Sequence, residues 1–135
     1  MASTVLVVGG GRVGRHVAEQ LSEQRNTVTV VERDPNRCDQ VTPSVSRVIE
    51  GSGTDPEAFA RADPESLDVV AALTDDTETN LTVCELAREH APQASTILRI
   101  ARDGEQDHGH RSIVDRVVYP AAAAADVTVD QITRL

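Results

Sequence analysis

The sequence contains no lysine, only two aromatic residues and no long apolar segment. All 13 basic residues are arginine, which excludes a Schiff-base enzyme, a Walker-type phosphate site and a tyrosine–lysine reductase site, because each needs a lysine. Phe59 and Tyr119 alone cannot form a platform on which nucleic-acid bases stack. The apolar runs are much shorter than the roughly 20 residues of a membrane span, so we predict no direct membrane insertion.

Cysteine is scarce as well. Cys38 and Cys84 stand at unrelated positions and give no disulfide framework, which is typical of proteins from a reducing cytoplasm. The first residues, Met1–Thr4, lack the basic segment of a secretory signal and lead directly into a strand-like run. We therefore expect a cytoplasmic location, and the length of 135 residues predicts one domain.

The charge balance is strongly acidic. Twenty-two acidic residues against 13 arginines give a net charge of -9, and such a surface repels DNA and RNA phosphates, so we predict no nucleic-acid partner. The acid excess and the missing lysine together favour adaptation to a high-salt (halophilic) cytoplasm, where salt screens the self-repulsion of an acidic surface. The alternative is the arginine bias of a high-GC genome, which explains the missing lysine but not the excess of acid.

Short β-branched runs alternate with helical segments along the chain, which indicates a parallel sheet with crossover helices. Val5–Val8 is almost continuously apolar, as expected for a strand that is buried on both faces. We predict an α/β fold, namely a Rossmann-like, doubly wound parallel six-stranded sheet with helices on both faces. The predicted strands are 5–8, 28–31, 45–49, 69–73, 96–100 and 114–119.

The sequence also marks the starts of the helices. Asp followed by Pro at 34–35 and at 55–56 is typical of an N-cap and the first helical position. The pattern D-x-x-E that begins at Asp75 predicts a capping box at the start of a further helix. The last predicted helix begins at Pro120, and we expect it to fray near residues 127–129.

A glycine-rich motif, G-G-G-R-V-G at residues 9–14, follows the first predicted strand and opens the first helix, as in the G-x-G-x-x-G motif of dinucleotide-binding sites. Gly9 permits the tight turn, Gly11 lets a pyrophosphate approach the backbone, and Gly14 allows close packing of helix on strand. The free N–H groups at the helix start face the anion. The motif therefore predicts a phosphate site, and the alternative is a glycine turn without a ligand.

An acidic residue, Glu32, ends the second predicted strand 18 residues after Gly14, where a carboxylate binds the ribose hydroxyls of an adenosine. A carboxylate at this position repels a 2′-phosphate, which favours NAD or an adenine nucleotide over NADP. Arg33 weakens this preference against NADP, because an arginine can pair with a phosphate or stack on adenine. The alternative for Glu32 is an ordinary solvated strand end.

Two further turns lie at the predicted carboxyl edge of the sheet, where open α/β folds bind ligands. Gly51–Asp55 follows the third strand, and Thr74–Asp76 follows the fourth. Thr54 and Asp55 have the alternative of an ordinary turn and helix cap, and Asp75 is on physical grounds a cap rather than a ligand contact.

Asp107–His110 lacks a fourth metal ligand at a suitable spacing, so we predict neither a metal site nor catalytic residues.

Together these motifs resemble the N-terminal nucleotide-binding domain (TrkA-N, also called RCK or KTN) of TrkA-type potassium-uptake regulators. The stretches that carry the resemblance are Val7–Gly14, Val31–Pro35, Gly51–Asp55, Thr74–Leu81 and Ile97–Arg102. The most specific combination is T-D-D-x-E-x-N-L after the fourth strand with G-x-G-R-V-G after the first. The resemblance implies a single TrkA-N domain over residues 1–135, and we expect no C-terminal ligand-sensing (RCK-C) domain in this chain.

The resemblance implies a site for NAD or NADH, with ADP or ATP as the alternative. The implied phosphate site comprises Gly9, Gly10, Gly11, Arg12, Val13 and Gly14, with Arg15 as an alternative to Arg12. The resemblance implies that Glu32 binds the ribose. The residues implied to flank the adenine are Arg33, Ser52, Gly53 and Thr54. The residues implied to line the remainder of the ligand are Thr74, Asp75 and Arg99. Ser52 departs from the family, which usually has an acid at this position.

The resemblance also implies a function, that of a cytoplasmic regulatory subunit that binds a nucleotide. Binding of the nucleotide would gate potassium transport by a membrane transporter or channel subunit. The family pairs through the sheet edge and the last helices, so we expect a homodimer or a larger even-numbered homo-oligomer, with Ala121–Ala125 allowing close helix contact. The alternative is a small NAD-dependent oxidoreductase or the cofactor-binding half of one. Its acid–base candidates are the loose histidines His108 and His110, and we expect no second domain to hold its substrate.

Overall fold

A computed structural model describes residues 2–135, in which six parallel strands form one sheet in the order β3-β2-β1-β4-β5-β6. The strands are β1 (Thr4–Val8), β2 (Thr27–Glu32), β3 (Arg47–Glu50), β4 (Val69–Ala72), β5 (Ser95–Arg99) and β6 (Arg116–Val118). Strand β1 pairs with β2 on one side and with β4 on the other, which is the reversal point of a doubly wound sheet. The predicted fold class is confirmed.

Five α-helices connect and follow the strands. They are α1 (Arg12–Glu23), α2 (Pro35–Val41), α3 (Pro56–Ala60), α4 (Thr77–His90) and α5 (Pro120–Thr133). The two predicted Asp-Pro starts are confirmed, because Asp34 caps α2 by accepting from the Asn36 amide at 2.9 Å, and Asp55 caps α3 by accepting from the Glu57 amide at 3.0 Å. Each carboxylate satisfies an N–H group that has no partner within its helix.

The start of α4 differs from the prediction. Its N-cap is Asp76, whose carboxylate accepts from the Thr79 amide at 3.1 Å, and not Asp75. The Thr74 hydroxyl lies 2.6 Å from the side-chain oxygen of the buried Asn80 and donates to it, which holds the turn after β4 so that the helix begins one residue later. Asp75 therefore remains exposed at the end of the turn.

The last helix and two strands also differ from the prediction. Helix α5 continues through residues 127–129 without fraying, because β-branched residues reduce helix propensity by only about 0.7 kcal/mol or less each. Strand β3 begins at Arg47 rather than Val45, since a 3-10 turn at Thr42–Ser44 precedes it. Strand β6 is limited to Arg116–Val118.

The hydrophobic core lies on both faces of the sheet. Leu6 and Val8 belong to the cluster on one face, and Val5 and Val7 belong to the cluster on the other. All four side chains are buried, as the continuous apolar run predicts. The packed sheet gives a rigid frame for the loops at the carboxyl ends of the strands.

Helix α5 has no buried residue. Every residue from 121 to 135 is exposed, and the apolar side chains of Val127, Val129 and Ile132 are 59, 58 and 62 % exposed. Within residues 2–135, no helix is long and apolar enough to cross a lipid bilayer. The apolar residues of α5 are therefore left without a partner in this part of the chain.

Candidate functional site

A cavity of about 760 Å³ opens at the carboxyl ends of β1 to β5, a size within the range of roughly 300–1,000 Å³ usual for small-molecule sites. The predicted residues that line it are Gly9, Gly11, Arg12, Val13, Glu32, Arg33, Ser52, Gly53, Thr54, Thr74, Asp75 and Arg99. Gly10 and Gly14 are not part of the lining, because the Gly10 amide donates to Glu32 and Gly14 packs against the Gly9 carbonyl. Arg15 does not line the cavity either and instead pairs with Glu19 at 3.6 Å.

The glycine loop turns sharply out of β1. Gly9 has a φ of +106°, which favours glycine, and its amide donates to the Val31 carbonyl at 2.9 Å. Gly14 packs against the Gly9 carbonyl so closely that a Cβ would overlap the oxygen. A Cβ at Gly11 would overlap nothing and would make only an ordinary van der Waals contact with the Arg37 guanidinium at 3.7 Å. The backbone at Gly11 is therefore accessible to a ligand.

Helix α1 begins at Arg12 with Gly11 as its N-cap, and no side chain caps it. The first amides of a helix have no intrahelical acceptor, and they lie at the positive end of the helix dipole. Both Gly11 and Arg12 line the cavity. This end of α1 therefore has the arrangement that binds phosphate oxygens.

The Glu32 carboxylate lies under the glycine loop and is only 6 % exposed. One oxygen accepts from the Gly10 amide at 2.7 Å, and the other accepts from the Asp34 amide at 2.7 Å. The alternative of a solvated strand end is therefore wrong. Each carboxylate oxygen can accept a second hydrogen bond, so Glu32 keeps acceptor capacity for hydroxyl groups in the cavity.

Four arginines line the cavity: Arg12, Arg33, Arg37 and Arg99. None of them takes part in the salt bridges found among residues 2–135. In a chain with a net charge of -9, unpaired guanidinium groups gathered at one cavity favour an anionic ligand. The sequence did not single out Arg37, although the Asp-Pro helix start places it in the first turn of α2, close to the glycine loop.

The turn after β3 closes one end of the cavity. The hydroxyls of Ser52 and Thr54 are hydrogen-bonded at 2.8 Å, and both side chains belong to the lining. Gly53 packs so closely on Val8 that a Cβ would overlap the valine side chain. Asp55 caps α3 and does not line the cavity, so the helix-cap alternative for this residue is confirmed.

A hydrogen-bond network joins the ends of β4 and β5 at the other end of the cavity. Asn80 is fully buried, and its side-chain amide donates to the Thr74 carbonyl at 3.1 Å and to the Arg99 carbonyl at 3.0 Å. The Arg99 guanidinium donates to the Leu73 carbonyl at 3.2 Å. Asn80 therefore positions Thr74 and Arg99 without lining the cavity itself.

The N-terminus of α4 differs from that of α1 because a carboxylate already occupies it. Asp76 accepts from the Thr79 hydroxyl at 2.6 Å and from the Thr79 amide at 3.1 Å. These bonds, the hydroxyl first, hold the pKa of Asp76 below its usual value. Asp76 is therefore ionised at neutral pH, and it lines the cavity beside Asp75.

Gly51 and Asp76 line the cavity and belong to the two turns predicted at the ligand-binding edge. Sequence reasoning did not find the following lining residues: Val8, His16, Val17, Gln20, Val31, Arg37, Leu73 and Thr79. His16 and Gln20 follow Arg12 at successive intervals of four residues, so the helical period starting from the glycine motif would have indicated them. Among residues 2–135, no cluster of three or more His, Cys, Asp or Glu side chains is suited to a metal ion.

The fold and the site define a class of protein. A glycine loop opens a helix at the β1–β4 reversal point, and an acid ends the adjacent strand, which is the arrangement of a Rossmann-type dinucleotide-binding domain. The sequence profile of the TrkA-N domain family matches residues 5–120, and the chain belongs to this family.

Relatives in two archaea carry names from potassium transport. The "Trk system potassium uptake protein TrkA homolog" of Pyrococcus abyssi is 34% identical over 128 residues, covering 90% of this chain and 56% of that protein. The protein of the same name from Methanothermobacter thermautotrophicus is 31% identical over 131 residues, covering 96% of this chain and 60% of that protein. The chain thus spans little more than half the length of these two relatives.

Solved structures with low sequence identity share the fold. The NAD(P)-binding domain of an exopolyphosphatase-related protein from Archaeoglobus fulgidus has a TM-score of 0.84 at 18% identity, over 98% of this chain and 99% of that one. The TrkA-N domain of the inner membrane protein YbaL from Escherichia coli has a TM-score of 0.81 at 21% identity, over 97% of this chain and 97% of that one. The GsuK channel bound to NAD has a TM-score of 0.71 at 18% identity, over 87% of this chain and 21% of that one. A structure of GsuK bound to ADP also matches.

Proposed function

We propose that this chain is a nucleotide-binding regulatory domain of a potassium-transport system. The observation that carries the proposal is the uncapped N-terminus of α1 beside the unpaired Arg12 and Arg37 in an acidic protein. A cavity of this kind attracts phosphate groups. Membership of the TrkA-N family, with relatives named as potassium uptake proteins, supports the transport context.

The proposed ligand is NAD or NADH, with ADP or ATP as the alternative. The diphosphate lies on the Gly9–Gly11 backbone and the start of α1, and Glu32 accepts hydrogen bonds from the adenosine ribose. Arg33 and the Ser52–Thr54 turn flank the adenine. The remainder of the ligand extends towards Thr74, Asp75 and Arg99. The GsuK channel, which shares the fold, has structures with NAD and with ADP, and this supports an adenine nucleotide.

The proposed role is binding rather than catalysis. His108 and His110, on which the oxidoreductase alternative depends, lie outside the cavity lining, and the only histidine in the lining is His16 on the exposed face of α1. The names of the relatives refer to potassium uptake and to no redox reaction. Incubation with NADH and candidate 2-oxo acids or aldehydes, followed by NADH absorbance, tests this point, and robust turnover would contradict it.

Regulation requires more than binding. A ligand shifts an equilibrium between two assembly states only if it binds them with different affinity. The redox state of a nicotinamide, or the number of phosphates on an adenine nucleotide, supplies such a difference. The signal is therefore a ratio of two related nucleotides, because both compete for the same cavity.

We propose that residues 1–135 form one domain that acts in the cytoplasm as a homodimer or a larger even-numbered assembly, bound to a membrane potassium transporter or channel subunit. Helix α5 supports pairing of this domain. Val127, Val129 and Ile132 are exposed, and the small side chains of Ala121–Ala125 permit close approach of a second helix. Multi-angle light scattering, with and without nucleotide, tests the oligomeric state, and a monomer under both conditions would contradict this part.

Calorimetric titration of the 135-residue chain with NAD, NADH, ADP and ATP in molar KCl tests the central proposal. We expect at least one of the four to bind, and Arg12→Gln to weaken that binding. Arg15→Gln is the matched control, because Arg15 lies on the same helix but outside the cavity. Absence of binding by all four nucleotides to the folded protein would overturn the proposed function.

A further inference from the structure

The connection from β5 to β6 has no α-helix, although parallel strands are usually joined by one. Its first part, residues 101–110 (the β5–β6 segment), contains only a 3-10 turn at Gln106–His110. Residues 102–104 are exposed, and Gly104 has a φ of +88°, where a Cβ would meet no atom within 4 Å. Little packing holds the start of this segment, so its position depends on individual hydrogen bonds.

One buried hydroxyl, that of Thr77, holds the β5–β6 segment at two points. Thr77 is only 1% exposed, and its hydroxyl donates to the Glu105 carboxylate at 2.8 Å and accepts from the Ala101 amide at 2.9 Å. Glu105 is also the N-cap of the 3-10 turn, and its carbonyl accepts from the His108 amide at 3.2 Å. Loss of the Thr77 hydroxyl would therefore free the start of the turn as well as the Ala101 amide.

The first turn of α4, to which Thr77 belongs, borders the cavity. Thr77 does not line the cavity itself, whereas Asp76 before it and Thr79 after it do. Hydrogen bonds from Thr79 lower the pKa of Asp76, and the charge of Arg102, in the β5–β6 segment, lowers it further. The start of α4 therefore interacts with both the cavity and the segment.

The β5–β6 segment also packs on the last strand of the sheet. A Cβ at Gly109 would overlap the Val117 side chain, so the 3-10 turn lies directly against β6. Strand β6 is an edge of the sheet and leads into α5, the helix that we propose to pair with a second copy. The segment therefore connects the start of α4 with the strand that carries α5.

We propose that the β5–β6 segment is the part of the surface that responds to the nucleotide, and that Thr77 couples it to the cavity. The inference rests on the proposed function, because it takes a nucleotide to occupy the cavity. Local opening of a helix end is an equilibrium between a closed and an open state. Opening of the first turn of α4 would remove Asp76 and Thr79 from the cavity wall and would separate Thr77 from Glu105 at the same time.

A nucleotide shifts this equilibrium because it binds the two states with different affinity. The open state lacks part of the cavity wall, so a bound nucleotide raises the free energy of opening and holds the segment in place. Coupling between two sites is usually worth about 5–150-fold. Nucleotide binding thereby stabilises the surface that contacts β6, and pairing through α5 becomes dependent on the ligand.

Hydrogen–deuterium exchange of the 135-residue chain, followed by mass spectrometry, tests the coupling. Exchange is compared without ligand and with saturating NAD, NADH, ADP or ATP, in peptides that cover residues 105–111 and residues 9–14. The first peptide reports opening of the β5–β6 segment, because it contains the 3-10 turn that Glu105 caps. The second reports binding itself, because the glycine loop lies at the proposed phosphate site.

Two variants remove the coupling bond from its two ends. Thr77→Val removes the hydroxyl while keeping the shape of the side chain, and Glu105→Ala removes the acceptor. Glu105→Gln keeps a side-chain oxygen that accepts from Thr77 and should rescue the coupling. The matched control is Thr82→Val, because the Thr82 hydroxyl also lies on α4 but donates within the helix, to the Glu78 carbonyl at 3.2 Å.

In the wild type, we expect a bound nucleotide to slow exchange at residues 105–111 by at least about fivefold, together with exchange at residues 9–14. Thr77→Val and Glu105→Ala should keep the protection at residues 9–14 and lose that at residues 105–111, and Glu105→Gln and Thr82→Val should behave like the wild type. Wild-type protection confined to residues 9–14, or undiminished protection of residues 105–111 in Thr77→Val and Glu105→Ala, would overturn this inference while nucleotide binding itself stands. No protection at either place with any of the four nucleotides would overturn the proposed function as well.

Discussion

The Glu32 carboxylate accepts a hydrogen bond from the Gly10 backbone amide at 2.7 Å, and this bond ties the end of β2 to the glycine loop. A Cβ at Gly10 would lie only 3.2 Å from the Glu32 side chain, so a larger residue at this position would crowd Glu32. Glu32 therefore positions the loop from behind while its remaining acceptor capacity faces the cavity. The residue predicted to bind ribose also has a structural role.

Replacing Glu32 with glutamine is expected to weaken both folding and ligand binding. Glutamine presents one NH2 group where the carboxylate has an oxygen, so either the Gly10 or the Asp34 amide loses its partner, at a cost of about 1–3 kcal/mol of unfolding free energy. Nucleotide affinity should fall at least about tenfold. Urea unfolding and calorimetry measure the two effects. Glu50→Gln is the control, because Glu50 is the exposed register neighbour of Glu32 on β3, and equal losses there would contradict the assignment.

Two glycines of the loop are expected to separate binding from folding. Gly11→Ala adds a methyl group that overlaps nothing and contacts only the Arg37 guanidinium, at a φ of -74°. The unfolding free energy should therefore change by about 1 kcal/mol or less, while the methyl group obstructs a phosphate. Gly14→Ala places a Cβ on the Gly9 carbonyl and should cost more than about 3 kcal/mol or prevent folding. Thermal unfolding and nucleotide titration distinguish the two. A Gly11→Ala protein that binds like the wild type would argue against a phosphate at this point.

The strands and the glycine loop could be predicted because local patterns determine them. Val5–Val8 forms a doubly buried strand, and the motif that follows it opens α1 as expected. The N-cap of α4 could not be predicted in the same way, because both Asp75 and Asp76 suit a local capping pattern. The choice depends on the buried Asn80, whose side-chain oxygen accepts from the amide and the hydroxyl of Thr74. The motif T-D-D-x-E-x-N-L contains both residues, but helix-capping rules do not include this contact between their side chains.

Most of the residues that line the cavity, like most of the strands, could be predicted from the sequence. Residues at the carboxyl ends of parallel strands meet at one edge, so most of the predicted set lines one cavity. Gly10 differs because its amide turns towards Glu32, and Arg15 differs because it pairs with Glu19. Arg37 was missed because its role depends on how α2 lies beside the glycine loop, which is a property of packing rather than of spacing.

Replacing Arg37 with glutamine is expected to weaken nucleotide binding without lowering stability. The guanidinium lies beside Gly11, is exposed and has no salt bridge within residues 2–135. One exposed cation near a phosphate is worth about 1 kcal/mol, so affinity should fall about fivefold. The loss should shrink as KCl rises, because salt screens exposed charges. Arg116→Gln, an exposed change on β6 outside the cavity, is the control, and the same loss of affinity there would count against a specific role for Arg37.

The loss of folding stability at acid pH should depend in part on Asp115. Its carboxylate accepts from the Thr96 amide at 2.8 Å and from Arg88 at 3.2 Å, and the amide bond in particular lowers the pKa of Asp115. A carboxyl group with a lowered pKa stabilises the fold fully above its unfolded pKa of about 3.9, and this stabilisation is lost as pH falls through the folded value.

Asp115→Asn should therefore destabilise the protein at neutral pH, by about 1 kcal/mol or less because the side chain is 42% exposed and solvent screens it. The Tm of the variant should also fall less than that of the wild type between about pH 5 and pH 3. Thermal unfolding across this pH range measures both effects. Asp103→Asn is the control, and parallel curves for wild type and Asp115→Asn would contradict the role of Asp115.

Stability should rise with KCl concentration. With 22 acidic residues against 13 arginines, repulsion among carboxylates outweighs the salt bridges, and screening relieves it as the Debye length falls from about 8 Å at physiological ionic strength to about 3 Å at 1 M. Thermal unfolding at low and molar KCl measures the effect. A variant with Glu65→Gln, Asp107→Asn and Asp126→Asn should show a shallower dependence, because these exposed acids add to the repulsion. Equal Tm values at low and molar KCl would contradict adaptation to high salt and leave arginine bias as the explanation for the missing lysine.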